Sequence, residues 1–216
     1  MAKSAYHHGN LKPALIAAAL KEIAHEGPEK FSLRGVARRA GVSAPAVYRH
    51  FKDKDDLLAA VAADCYERFG DAIVASAEQA PPDDPLEQFR ATGIAVVQFA
   101  VAHPEHYRAM NAPGLYERMP AEQRAAQEGF VAAQRESLAA AQAAGKIANL
   151  PLDDILLTAT TAITGLAHAI IEGRLGDVDA KRATQLATAV TKVLGVGFWP
   201  REKNPIDPRE PKPRKR

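Results

Sequence analysis

Residues Phe31 to Phe51 read FSLRGVARRAGVSAPAVYRHF, and this stretch decides the fold. Leu33, Val36, Ala37 and Ala40 recur at the spacing of one helix face, while Arg34, Arg38 and Arg39 fall on the other side. Ser32 stands where it caps this first helix. Gly41 is free to take the positive φ that ends it, and Ser43 is placed to cap the next, with Pro45 tolerated in its first turn. Val47 and Phe51 give the second helix a buried face, and Ala37 is small enough for the two helices to approach closely at a steep angle. Two short amphipathic helices joined at Ala40-Gly41-Val42-Ser43 are the sequence form of a helix-turn-helix. The outer face of the second helix is then left to base edges in the DNA major groove.

Outward from this pair the chain reads as helix after helix, with no credible strand. Asn10 to His25 carries the stripe Leu11, Leu15, Ala18, Ala19 and Ile23 and ends at Gly27-Pro28, a first helix that supports the pair. Lys54 to about Gln79 is longer, with Leu57, Leu58, Val61, Cys65, Phe69 and Ile73 on its apolar face, and Pro81-Pro82 stops it. After Pro85 a helix runs to about Ala102, His103-Pro104 breaks it, and a short segment follows around Tyr107 and Met110. Asn111-Ala112-Pro113-Gly114 reads as a loop. Pro120 to Ala144 is rich in Ala and Gln and closes at Gly145. Helices from about Leu152 to Leu175 and from about Ala180 to Leu194 complete the series.

With 216 residues and 47% hydrophobic content, the chain has ample material for one or two cores. No run approaches the roughly 20 uncharged apolar residues of a membrane span, and MAKSAYHHGN lacks the apolar region of a signal peptide. The expectation is a cytoplasmic protein with no membrane partner. A single Cys65 excludes an intrachain disulfide and a cysteine-rich zinc site, so its expected role is packing. Net charge is +2, but it is unevenly spread. Residues 1–54 hold ten Lys/Arg against four Asp/Glu, residues 55–199 hold eleven against nineteen, and residues 200–216 hold seven against three. The chain therefore divides into a basic helix-turn-helix domain at 1–54, an acidic helical body at 55–199 and a Pro-rich basic tail at 200–216, expected to be disordered. A basic module on an acidic body turns one end toward phosphates.

Ala159, Ala162, Ile163, Leu166, Ala167, Ile170 and Ile171 make the penultimate helix apolar over more than half its circumference. Leu186, Ala187, Val190 and Val193 do the same for the last. Such wide faces need cover from more than one side, which either internal burial or a homodimer supplies. Because one short recognition helix reads too few base pairs for useful affinity, the dimer is favoured. Its candidate interface is Ile163, Ala167, Ile170, Leu186, Val190 and Val193.

From Tyr6 to about Leu58 the sequence resembles the DNA-binding domain of the TetR family of bacterial transcriptional repressors. The resemblance rests on the apolar first helix, the Gly27 break before Phe31-Ser32-Leu33, Val36-Ala37, Ala40-Gly41-Val42-Ser43, Val47-Tyr48, His50-Phe51, and Lys54 followed by Leu57-Leu58. The body is similar through its helix spacing and through AHPEHYRAM at Ala102 to Met110, which resembles a subgroup with a His-Pro break. That subgroup often carries a His-Gly pair in its penultimate helix, where this chain has Thr164-Gly165. The resemblance implies an all-α homodimer: an N-terminal three-helix helix-turn-helix domain followed by a larger helical domain for ligand binding and dimerisation. It also implies that a small molecule releases the protein from a double-stranded DNA operator. A constitutive or architectural DNA-binding dimer without an effector is the alternative.

Chemistry and matching position assign roles. Ser32 and Ser43, at helix starts, suit hydrogen bonds to phosphates. Ser43, Ala44, Pro45, Ala46 and Arg49 lie on or near the front of the recognition helix, where Arg49 suits a guanine O6/N7 edge and the small residues suit thymine methyls. Tyr48 and Lys54 match positions that clamp the DNA backbone in the family, and His50 suits a phosphate. Arg34, Arg38 and Arg39 either touch DNA or sit solvated. Tyr6, His7 and His8 form a possible arm along the groove.

Candidates to line an effector site are Phe69, Phe99, His103, Tyr107, Met110, Phe130 and His168. Aromatic and Met residues at helical spacing equally form plain core. A helical metalloenzyme built on His103, Glu105, His106 and His168 lacks the paired Glu-x-x-His motif that would hold two metals. No catalytic residue, metal or cofactor is therefore expected.

Overall fold

The computed structural model describes residues 11–197. The possible arm Tyr6-His7-His8 and the basic tail 200–216 lie outside the described residues. Among those described every regular element is helical: α1 (Leu11–Glu26), α2 (Leu33–Ala40), α3 (Ala44–Tyr48), α4 (Lys54–Ala77), α5 (Pro85–Ala102), α6 (Pro104–Met110), a 3-10 turn at Tyr116–Arg118, α7 (Ala121–Ala143), α8 (Leu152–Ile171) and α9 (Ala180–Gly197). Their packing separates two units, one drawn from Met1–Asp71 and His103–Glu128, the other from Ala72–Ala102 and Gly129–Arg216. Helices α4 and α7 contribute residues to both.

In the first unit the apolar stripes foreseen for α1 and α2 form one core with the first half of the stripe foreseen for α4, while Phe69 and Ile73 lie outside it. Leu15, Ala19, Ile23, Val36, Val47, Phe51, Leu57, Leu58, Val61 and Cys65 are all buried in it. So are Ala109, Leu115 and Met119, from α6 and the segment after it. The packing around the helix-turn-helix thus extends past Lys54 into α4 and draws in a segment more than fifty residues downstream. Cys65 serves as core, and burial pushes its thiol up to about 12, with Asp64 adding to the effect.

In the second unit α5 packs against α8 and α9, which also touch each other. Gly93 brings the three together, since a methyl group there would lie 3.4 Å from the Ile163 side chain and 3.5 Å from that of Thr191. Threonines are tolerated in these apolar helices because their hydroxyls donate back to the preceding turn: Thr92 to the Gln88 carbonyl at 3.0 Å, Thr164 to Thr160 at 2.7 Å, Thr188 to Thr184 at 2.8 Å. A second cluster joins Leu138, Ala141, Ile147 and Ile155. Gln142 steadies the turn between α7 and α8 by donating to the carbonyls of Ala148 and Leu150.

Three expectations are corrected. Helix α8 stops at Ile171 instead of Leu175, because Gly173 and Arg174 turn back and donate to the carbonyls of Ile170 and Ala169. Helix α9 continues to Gly197, beyond Leu194. By length and composition α8 does reach what a membrane crossing needs. In this fold it buries one side, through Ile155, Ala159, Ile163, Ala167 and Ile170, and Asp153 and Asp154 occupy its first turn.

Candidate nucleic-acid interface

Ser32 starts α2 in extended conformation, and its hydroxyl oxygen accepts the Gly35 N–H at 3.0 Å. At the other end Gly41 takes φ 70°, the left-handed region, and Val42 N–H returns to the Ala37 carbonyl at 2.9 Å. That turn aims α3. Ser43 occupies the N-cap position of α3, as expected, but its side chain makes no capping bond; the main chain does the work, Ala46 N–H donating to the Ser43 carbonyl at 2.9 Å. Val47, on α3, and Phe51, which falls past the helix end at Tyr48 and not on the helix as expected, are 0% and 1% exposed and hold this segment in the core.

Pro45 and Tyr48 lie on α3, while Ser43 and Arg49 cap its two ends and His50 follows it. Ser43, Pro45, Tyr48, Arg49 and His50 are exposed, Tyr48 to 54%, while Ala44 and Ala46 are half-buried. Ser32, Arg34, Arg38 and Arg39 are also exposed. Lys54 is half-buried and already engaged: its ammonium donates to the Glu29 carbonyl at 2.7 Å and lies 5.1 Å from the centre of the Phe31 ring. An ammonium has three hydrogens, so a phosphate contact is compatible with this anchoring.

Three supporting features were not foreseen. Glu22, on α1, lies under α2: a methyl group on Gly35 would meet its carboxylate oxygens at 2.9 and 3.0 Å. The same carboxylate accepts from Arg39 Nε at 3.4 Å. Gly35 is therefore the gap in α2 that receives the Glu22 side chain of α1. At the start of α4, Asp53 accepts the Asp56 N–H at 2.9 Å and Asp56 accepts the Lys52 N–H at 3.0 Å, a reciprocal cap that sets Lys54 in the first turn. Arg118 is the third: its guanidinium reaches Asp55 at 3.1 Å and the Gly114 carbonyl at 2.7 Å.

The effector candidates do not gather within one unit. His103, Tyr107 and Met110 come together on and beside α6, and Phe69 also belongs to the first unit; Phe99, Phe130 and His168 belong to the second. Tyr107 is buried and Met110 packs partly against the core around the helix-turn-helix. The His103 and His106 rings meet edge-to-face at 5.6 Å, and His106 Nε2 lies 3.2 Å from Asp64. Phe99 is buried, Phe130 is half-buried, and His168 Nδ1 lies 3.0 Å from the Thr164 carbonyl.

The interface candidates divide as well. Ile163, Ala167 and Ile170 are buried inside the single chain, at 5%, 0% and 7% exposure, so they are core and offer nothing to a mate. Leu186 and Val190 are half-buried, and Val193 is 73% exposed. The apolar side chains left open on these two helices are Leu157 at 68%, Val193 at 73% and Val196 at 42%.

Known sequences and structures agree with this architecture. Residues 15–61 match the family described as bacterial regulatory proteins, tetR family, and residues 89–194 match the tetracyclin repressor-like C-terminal domain. A solved structure from Rhodococcus sp. RHA1, described as a protein with unknown function, is 30% identical with a TM-score of 0.67, over 91% of this chain and 99% of that one. A TetR family transcription regulator from Marinobacter aquaeolei VT8 is 22% identical with a TM-score of 0.65, over 83% of this chain and 94% of that one. The fatty acid degradation regulator FadR from Bacillus halodurans is 18% identical with a TM-score of 0.68, over 89% and 98%, and shares the fold. No curated protein sequence matches the chain. With a helix-turn-helix mounted as described and a matching domain on either side of α4, the chain belongs to the TetR family and is a DNA-binding transcription regulator.

Proposed function

We propose that the protein is a repressor that binds a near-palindromic operator as a homodimer and leaves it when a small molecule binds. The observation that carries this reading is the exposure of Pro45 and Tyr48 on α3, and of Arg49 and His50 just past its end, on a segment held in the core by Val47 and Phe51. Arg49 reads a base, the small residues Ala44, Pro45 and Ala46 admit the groove edge, and Ser32, Ser43, Tyr48, His50 and Lys54 hold phosphates. The exposed Leu157, Val193 and Val196, with half-buried Leu186 and Val190, form the face that a second copy covers. Phe99, Phe130 and His168, in the second unit, are the residues we assign to effector contact. Acting on bacterial DNA, such a protein works in the cytoplasm.

Selection of bound duplexes from a randomised pool tests the reader, and release of the selected duplex by a panel of small molecules tests the sensor. The expected site has two half-sites about 34–36 Å apart or a multiple of that spacing. A footprint over one unpaired half-site would contradict the dimer reading, and a panel that releases nothing would favour the constitutive alternative. Arg49→Ala should cost about 1–3 kcal/mol on the selected duplex and little on random DNA. An equal loss on both would make Arg49 a phosphate contact instead.

A further inference from the structure

The segment between α6 and α7 is tied to the DNA-binding module by apolar packing and by a charged side chain. Leu115 and Met119 anchor it in the core of the first unit, at 0% and 2% exposure. Between them, on the 3-10 turn, Arg118 spreads its guanidinium over three groups: Nε donates to Asp55 at 3.1 Å, one terminal nitrogen donates to the Gly114 carbonyl at 2.7 Å, and the other lies 3.8 Å from the Glu29 carboxylate. Gly114 makes the fit possible. It sits at φ 82°, and a methyl group there would fall 2.8 Å from the guanidinium.

Both acids that Arg118 touches are tied to Lys54, one through the sequence and one through the main chain. Asp55 follows it in the chain, and Glu29 supplies the carbonyl that holds its ammonium. Both carboxylates are largely exposed, at 76% and 80%, on residues tied to the one assigned to a DNA phosphate. Left uncompensated they would repel that phosphate and compete for the ammonium, since opposite and like charges a few ångströms apart still interact at a protein surface.

We propose that Arg118 is a positioning residue for DNA binding: it neutralises Asp55 and Glu29 and so keeps Lys54 available to a phosphate. The inference rests on the reading of Lys54 as a phosphate contact, and the test separates the two. Binding of the full-length protein to the duplex selected from the random pool is measured across a salt series for Lys54→Ala, Arg118→Gln and the pair, then for Arg118→Gln with Asp55→Asn. Loss of one phosphate contact lowers the salt slope by about one. Lys54→Ala should do so; an unchanged slope sinks the phosphate reading and the inference with it.

Given that drop, Arg118→Gln should weaken binding about five-fold, roughly what 1 kcal/mol of electrostatics amounts to. It should lower the slope likewise, add little to Lys54→Ala, and be largely rescued by Asp55→Asn. Equal losses in the two Lys54 backgrounds, or no rescue, would overturn the role of Arg118 while leaving that of Lys54 intact. If Arg118→Gln melts before it can be assayed, Arg118→Lys keeps a charge at the turn and should give an intermediate loss; wild-type binding by that variant with wild-type salt slope counts against the three-way contact.

Discussion

His106 shows how one side chain on a packed helix makes stability depend on pH. Burial holds its imidazole below the ordinary 6.5, outweighing the raising effect of Asp64 at 3.2 Å, while Arg68 and His103 add to the lowering. The unfolded chain then takes up this proton more readily than the folded one. Stability is therefore full above about pH 6.5 and falls as the pH drops through the lowered value. His106→Gln should flatten urea-unfolding midpoints between about pH 7 and pH 5.5; a slope unchanged by the substitution would show that other groups set it. Of this site the sequence displayed only the histidines. Residues 64 and 106 are too far apart in the chain for any local pattern to join them. Glu22 was closer to legible: it sits on the same side of α1 as Ala18 and Ala19, and a lone acid in an apolar stripe asks for a partner. Arg39 is that partner, and Gly35 the gap that admits it.

Individual elements were the most readable part of the chain, because caps and breakers act over three or four residues. Gly41, Pro81-Pro82, His103-Pro104 and Pro85 all mark the ends that they announce. The exceptions have the same local origin: α8 ends early at a glycine turn that the apolar periodicity masks, and Ser43 caps through its carbonyl in place of its hydroxyl. The turn between α2 and α3 supports a simple measurement. Gly41 is left-handed, with nothing within 4 Å of where a side chain would begin, so only backbone strain opposes substitution. Gly41→Ala should cost about 1–2 kcal/mol in chemical denaturation. Gly41→Asn should cost less, because asparagine visits this region more readily. Equal costs for the two would mean that strain is not what the glycine relieves.

For the whole molecule, an apolar stripe does not say whether its cover comes from the same chain or another. Ile163, Ala167 and Ile170 looked like surface for a mate, yet they are buried within the chain, where α8 packs against α5 and α9. What is left over is offset around the same helices. Val193→Glu should therefore separate dimers by sedimentation while helicity and unfolding midpoint stay close to the parent. Ala167→Glu should instead lower the midpoint by several kcal/mol of stability, as an unpaired charge forced into the core does. A Val193→Glu protein that remains dimeric would move the interface off this face. The effector residues were the least legible of all: aromatic side chains are equally at home in a core and around a ligand, and their periodicity is the same in either case.

Burial of the lone cysteine has a practical side. With Cys65 fully covered and its thiol up near 12, the native protein offers reagents almost no thiolate. Since the chain has no second cysteine, one introduced at Tyr48 or Val193 would be its sole reactive sulfur. A fluorophore, spin label or cross-linker could then be attached on α3 or on the apolar face of α9 without first stripping the protein of its own.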